Sequence, residues 1–256
     1  MPLHAAAHGF CHERSIRTFA APHVGKQVVL RLDLREFFPS ISRARIQALF
    51  RTVGYPDTVA NLLGGLCTNR TPEDVWEAAA SHEGPHGMRA RYAQPHLPQG
   101  APTSPALANL AAFRLDCRLS GLAQSAAAVY TRYADDLAFS GGEEFQRVVE
   151  RFRHHVCATA IEEGFAVHHR KTRIMRRGVR QRLAGIVVND RLNVMRADFD
   201  CLKATLTNCI RHGVTDQNRA GHDNFRAHLL GRIAFIDSLN ATRGRRLREL
   251  FEQISW

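Results

Sequence analysis

The chain is short of acid. It carries 35 Lys and Arg against 24 Asp and Glu, a formal charge of +11 with His neutral, and a pI near 10.1. Residues 165–189 contain no acid at all. Such an imbalance disfavours basic partners and favours a polyanion, most simply nucleic acid; a generally basic globular protein is the plainer alternative. No apolar run is long enough to cross a bilayer, so a membrane is not among the expected partners. Met1–His8 lacks a basic stretch followed by an apolar one, so no secretory signal is expected. The cysteines at 11, 67, 117, 157, 201 and 209 are scattered, with no Cys-x-x-Cys pair. That argues against zinc and disulfide frameworks and for reduced thiols in a cytoplasmic setting. His154-His155 and His168-His169 have no cysteine at ligand spacing and read as surface or nucleic-acid-facing. Repeats and low-complexity tails are missing too. The 45% apolar content and the length suit one large domain or two lobes with a proper core.

What acid there is falls in informative places. Val129-Tyr130-Thr131 and Leu137-Ala138-Phe139 are short strand-forming runs joined near Asp135-Asp136, which predicts a β-hairpin with the acids at its tip. A bare Asp-Asp pair is most often an acidic turn in solvent. Adjacent carboxylates between apolar flanks resist burial unless a cation or proton compensates them. Hard oxygen ligands select Mg²⁺ or Mn²⁺. A third acid, Asp33, ends a run in which Val28, Leu30, Leu32 and Leu34 share one strand face and Val29, Arg31 and Asp33 the other. A sheet that sets Asp33 beside the hairpin would gather three carboxylates, a set suited to two metals about 3.5–4 Å apart.

Three stretches resemble reverse transcriptase motifs, in family order. Asp33-Leu34-Arg35-Glu36-Phe37-Phe38-Pro39-Ser40-Ile41 resembles the first catalytic motif of the bacterial enzymes. Leu97-Pro98-Gln99-Gly100-Ala101-Pro102-Thr103-Ser104-Pro105 resembles their Gln-Gly nucleotide motif, and Tyr133-Ala134-Asp135-Asp136 their metal box. The retron and retron-like branch is the nearest. The resemblance implies an α+β right-hand polymerase: partial fingers or lead-in at 1–27, an antiparallel palm at 28–190 with a fingers-side insertion about 41–98, and a helical thumb at 191–256. It implies RNA-directed DNA synthesis with two Mg²⁺ (or Mn²⁺) on Asp33, Asp135, Asp136 and the Leu34 carbonyl. It gives Lys171, in Lys171-Thr172, the role of protonating the departing pyrophosphate. Phe38 would pack on the sugar of the incoming nucleotide; Gln99 and Gly100 would line its pocket; Arg14 would be a fingers-side triphosphate contact. Arg170, Arg173, Arg176 and Arg177 would hold nucleic acid, with Gly185 in a primer-grip turn, Leu183-Ala184-Gly185. Implied partners are dNTPs, an RNA template or primer, a cognate structured noncoding RNA, the DNA product and an effector protein. Antiviral defence is implied by the family alone.

Departures from the family pattern leave other readings open. Phe19 stands where retron enzymes carry Asn in an Asn-Ala-x-x-His element ending at His23, and Leu-Ala-Gly replaces Val-Thr-Gly at 183–185. The family's basic fingers strands normally precede the first motif, so a fragment, or a second chain completing the fingers, is expected. A template-independent defence-associated polymerase and a non-polymerising nucleic-acid scaffold are the alternatives.

The rest reads as helices. Ile46, Leu49, Phe50 and Val53 recur at helical spacing after a Ser40 or Ser42 cap, with Gly54 as the stop. Leu62, Leu63 and Leu66 suggest a short helix, and Asn69–Arg91 a variable loop. Leu107, Leu110, Ala111, Leu115 and Leu119 form one face after a Thr103 or Ser104 cap and Pro105. Phe145, Val148, Val149, Phe152 and Val156 form a stripe after Gly141-Gly142. Stripes at Phe199–Ile210, Phe225–Leu239 and Leu247–Ile254 predict a three-helix bundle.

Overall fold

A computed structural model describes residues 2–78 and 88–256. These divide into two compact units, Met1–Arg177 and Gly178–Trp256.

In the first unit, α1 (Ile16–Ala20) leads to β1 (Val28–Arg35), then α2 (Arg43–Thr52), α3 (Asp57–Leu66), α4 (Glu73–Ala78), α5 (Met88–Ala93), α6 (Ser104–Ala111) and α7 (Phe113–Ser125). The hairpin β2 (Ala128–Tyr133) and β3 (Asp136–Gly141) follows, then α8 (Glu143–Glu162), β4 (Ala166–Val167) and β5 (Arg173–Arg176). The fold is α+β. The sheet runs β2-β3-β1 and is antiparallel throughout; the far edge of β1 is shared by β5 at its start and β4 at its end. Val28, Leu30, Leu32 and Leu34 enter the core with Leu137 and Phe139, against Leu115 and Leu119 of α7 and Phe145, Val149, Phe152 and Val156 of α8. The period-2 reading of β1 thus describes its packing.

The helices depart from expectation in places. Ser42, not Ser40, caps α2; the Ser40 hydroxyl instead donates to the Glu36 carbonyl at 2.7 Å. Val53 lies just past α2 and is half exposed. On α3 the buried positions are Ala60 and Gly64, while Leu62 and Leu66 are 69% and 83% exposed. The face expected over 107–119 belongs to two helices meeting at Ala112, and neither Thr103 nor Ser104 makes a side-chain cap. Val148 points outward, 42% exposed. The loop expected at 69–91 holds α4 and the start of α5; its residues 79–87 lie outside the described residues.

In the second unit, β6 (Arg182–Leu183) and β7 (Ile186–Val187) form a hairpin, followed by α9 (Arg196–His212), α10 (Phe225–Leu239) and α11 (Ala241–Glu252). Phe199, Leu202, Leu206, Leu229, Ile233, Ile236, Leu247, Phe251 and Ile254 make its core. The hairpin turn has left-handed φ at Ala184 (44°) and Gly185 (85°), which suits a tight two-residue connection. The division at Arg177 groups this hairpin with the helices, whereas the expected palm ran to 190. Among the described residues no helix is long and apolar enough to cross a membrane, and all six cysteines are free.

Candidate active site

The β1–β3 ladder decides where the acids go. Its register pairs Asp33 with Asp136. Directly opposed residues of an antiparallel pair put their side chains on one face, with Cβ atoms about 4.5–5.5 Å apart. Asp135 sits in the two-residue turn beside them, and its carbonyl accepts from the Leu34 N–H at 2.8 Å. Asp33, distant in sequence from the adjacent Asp135 and Asp136, is thus brought to the same end of the sheet as they are.

Two cations meet them. The Lys171 ammonium donates to both oxygens of Asp33 at 3.1 Å. Arg31 donates to Oδ1 of Asp136 through Nε at 2.8 Å and its terminal nitrogen at 2.7 Å. Burial, with the neighbouring acids adding to it, raises the carboxyl of Asp135 above its ordinary range; the backbone and Lys171 oppose the shift. Burial likewise raises Asp136, against the pull of Arg31. Ionising Asp135 and Asp136 is therefore penalised even with both cations present.

That imbalance, with hard carboxylate oxygens gathered on one face, fits divalent ions of the Mg²⁺ class. As the side chains stand, no group of three or more His, Cys, Asp or Glu among the described residues is drawn to metal-holding distance. Arg31 and Lys171 each hold a carboxylate by ion pairing instead, and both side chains are partly solvent-accessible. Arg31 is the site residue the sequence reading missed; its place on the Asp33 face of the strand was the available signal.

The remaining expected residues are spread around this centre. Phe37 is core, stacked on Phe165 at 5.5 Å, while Phe38 is half buried, edge-on to Phe37 at 5.5 Å and Phe10 at 6.1 Å. One phenylalanine of the pair is thus committed to the core and the other has a partly free edge, although both lie in the turn that follows β1 and not on extended backbone. Gln99 and Gly100 lie in the exposed loop before α6, with Gly100 at φ 95°. Arg14 is exposed, and its guanidinium donates to the Ala5 and Ala7 carbonyls, the latter at 3.0 Å. Arg170, Arg173, Arg176 and Arg177 are exposed along β5 and its approach, and Arg173 donates to the Arg170 carbonyl at 2.7 Å. Gly185 is exposed in the second unit's hairpin.

Known proteins match this chain along most of its length. The chain is 42% identical over 247 residues to the retron Mx65 reverse transcriptase of Myxococcus xanthus, covering 96% of this chain and 54% of that protein. It is 42% identical over 197 residues to retron Mx162 reverse transcriptase of the same organism, covering 74% and 39%. Identity to the retron Ec86 reverse transcriptase of Escherichia coli is 28% over 240 residues, covering 93% and 64%. The chain spans about half the length of the curated relatives it matches. Residues 1–205 match the family described as reverse transcriptase (RNA-dependent DNA polymerase). With that match covering most of the chain, the chain belongs to the reverse transcriptase family.

Proposed function

We propose that this chain carries the catalytic part of a retron-type reverse transcriptase, copying an RNA template into DNA by two-metal nucleotidyl transfer from dNTPs. The single observation that carries this reading is the pairing of Asp33 with Asp136 across β1 and β3, with Asp135 in the adjoining turn. Asp33, Asp135 and Asp136, with the Leu34 carbonyl, would hold the ions. Two divalent ions in such a site supply an activated primer hydroxyl and charge neutralisation on the transferred phosphoryl group.

The protein groups do the rest. Lys171 keeps an ammonium at the carboxylates and is assigned proton donation to the departing pyrophosphate. Phe38 packs on the sugar and disfavours a 2′-hydroxyl. Gln99 and Gly100 line the nucleotide pocket, where the N-terminus of α6 favours phosphate. Arg14 contacts the triphosphate. Arg170, Arg173, Arg176 and Arg177 bind the template–primer backbone by charge. The helical unit, with Arg245, Arg246 and Arg248 exposed on α11, acts as the thumb, and Gly185 sits in the primer grip. A cognate structured RNA is the template, and a role in antiviral defence would appear as reduced phage plating on cells carrying the intact operon.

The test is primer extension with RNA and DNA templates in Mg²⁺. Template-directed DNA from RNA supports the reading. Untemplated tailing points to a template-independent polymerase, and RNA binding without synthesis points to a scaffold.

A further inference from the structure

The turn that displays Asp135 and Asp136 is held in an unfavourable shape. Ala134, its first residue, has φ 53°, a left-handed conformation that a residue with a Cβ adopts only at a cost. Such a conformation persists only where its surroundings over-determine it.

The surroundings here are specific. Arg132 is completely buried and is among the largest fully buried side chains among the described residues. Its guanidinium makes a two-pronged pair with Asp116 of α7, at 2.8 and 2.7 Å. The remaining nitrogen donates at 3.1 Å to two acceptors, the Asn109 side chain of α6 and the carbonyl of Ala134 itself. Tyr130 donates to the same Asp116 at 2.8 Å. Asn109 in turn donates to the Gly9 carbonyl at 2.8 Å. Gly9 closes the other side of the turn: a Cβ there would lie 2.5 Å from the Ala134 nitrogen. The lead-in residues around it are tied to β2, with Arg132 N donating to the Ala6 carbonyl and His8 N to the Arg132 carbonyl, both at 2.7 Å.

We propose that Arg132, Asp116, Asn109 and Gly9 form a clamp that positions the Ala134 turn and so aims Asp135 and Asp136. A buried ion pair is seldom worth more stability than apolar residues of the same volume, so stability alone does not account for it. What the pair supplies, and an apolar pair cannot, is a rigid donor aimed at the carbonyl of the strained residue. Arg132 touches no substrate; it is a positioning residue. The inference rests on the metal reading of the three acids.

The test measures Mn²⁺ binding to the full chain by electron paramagnetic resonance, alongside circular dichroism, RNA affinity and steady-state kinetics. The variants are R132M/D116L, which replaces the pair by apolar volume, G9A, which crowds the turn from outside the ion pair, and R132K. D135N/D136N is the control. The clamp predicts that R132M/D116L and G9A fold and bind RNA within about twofold of wild type. Their Mn²⁺ half-saturation should rise about 10–100-fold, the range for losing a residue that orients metal ligands. kcat should fall more than the dNTP KM changes, and R132K should recover part of both. Folded variants with wild-type Mn²⁺ affinity and kcat overturn the clamp. If R132M/D116L does not fold, G9A alone decides. Mn²⁺ binding by wild type that D135N/D136N leaves unchanged overturns the metal reading and the clamp with it; binding lost in that control but retained in G9A overturns the clamp only.

Discussion

The two units of this chain bury different things. Residues 1–177 bury His23, Asp33, Thr68, His96, Ser104, Asn109, Asp116, Thr131, Arg132, Ser140 and Glu163, most of them hydrogen-bonded in pairs or chains, with the Ser104 hydroxyl the exception. In residues 178–256 the only buried polar side chain among the described residues is Gln181; the core is aliphatic and aromatic, and the cations lie outside. Fully satisfied polar networks fix geometry, whereas apolar packing mainly supplies stability. The first unit is accordingly built to hold a few atoms in place, and the second to present a shape and a charge.

The contrast predicts that changes in the first unit act on chemistry and changes in the second on affinity. The largest effect belongs to D135N/D136N. DNA synthesis should fall below detection, more than about 10³-fold for losing charge stabilisation in the transition state, with RNA affinity unchanged in a filter-binding assay. Because folding raises both acids above their ordinary range, neutralising them should not lower the melting temperature. Next is Lys171→Ala. Single-turnover rates should drop about 10²-fold, the scale of a general acid, while template–primer affinity stays within about twofold; a pure binding defect removes Lys171 from the chemistry.

His23 tests the network behind the hairpin. Its ring joins Ser140 at 2.7 Å and Thr131 at 2.8 Å. Burial, assisted by His8 and Lys26, pulls its pKa down to about 3. The unfolded chain protonates near 6.5 and the folded one does not, so this contribution is complete above pH 6.5 and is lost as pH falls towards 3. Urea titrations should show about 2 kcal/mol lost between about pH 7 and pH 5 through this group. His23→Gln should be less stable at neutral pH but have a shallower acid limb; an equally steep limb contradicts the assignment. In the second unit, replacing Arg245, Arg246 and Arg248 by Ala should weaken RNA binding about tenfold at moderate salt. It should also lower the slope of log affinity against log salt by about 0.7–0.9 for each phosphate no longer neutralised. An altered kcat would blur the division of labour. The smallest effect is expected at Ala134→Gly: relief of left-handed strain and added freedom of the unfolded chain nearly cancel, leaving stability within about 1 kcal/mol.

The sequence was most readable where a single period governs packing. Alternation in Val28–Leu34 located a core strand and placed Asp33 on its other face. Apolar stripes located α8 to α11, although Val148 turned outward. Readability failed where tertiary context chooses between equal local options. Nothing at Ala112, neither Pro nor Gly, marks the break between α6 and α7. Leu62 and Leu66 have the right spacing for a buried face, but spacing says which residues share a face, not whether anything covers it. The pairing of Arg132 with Asp116 spans separate elements and no local pattern announces it; alternation put Arg31 on the Asp33 face but could not name Asp136 as its partner. At the site, the three acids stood out because carboxylates between apolar flanks are costly and because the stretches that carry them resemble family motifs in order; the register of β1 with β3 then puts Asp33 opposite Asp136. Of their partners, Lys171 was singled out from the sequence, whereas Arg31, one arginine among many in a chain this basic, was not.

Asp33, Asp135 and Asp136 are proposed to converge on divalent metal. Crystals of the protein soaked in Mn²⁺ and measured at the manganese absorption edge test it most directly. Anomalous density is predicted between the carboxylates of Asp33 and the Asp135-Asp136 turn, with Lys171 and Arg31 displaced from their present partners. Saturating Mn²⁺ with both salt bridges intact and no density at the three acids would contradict it.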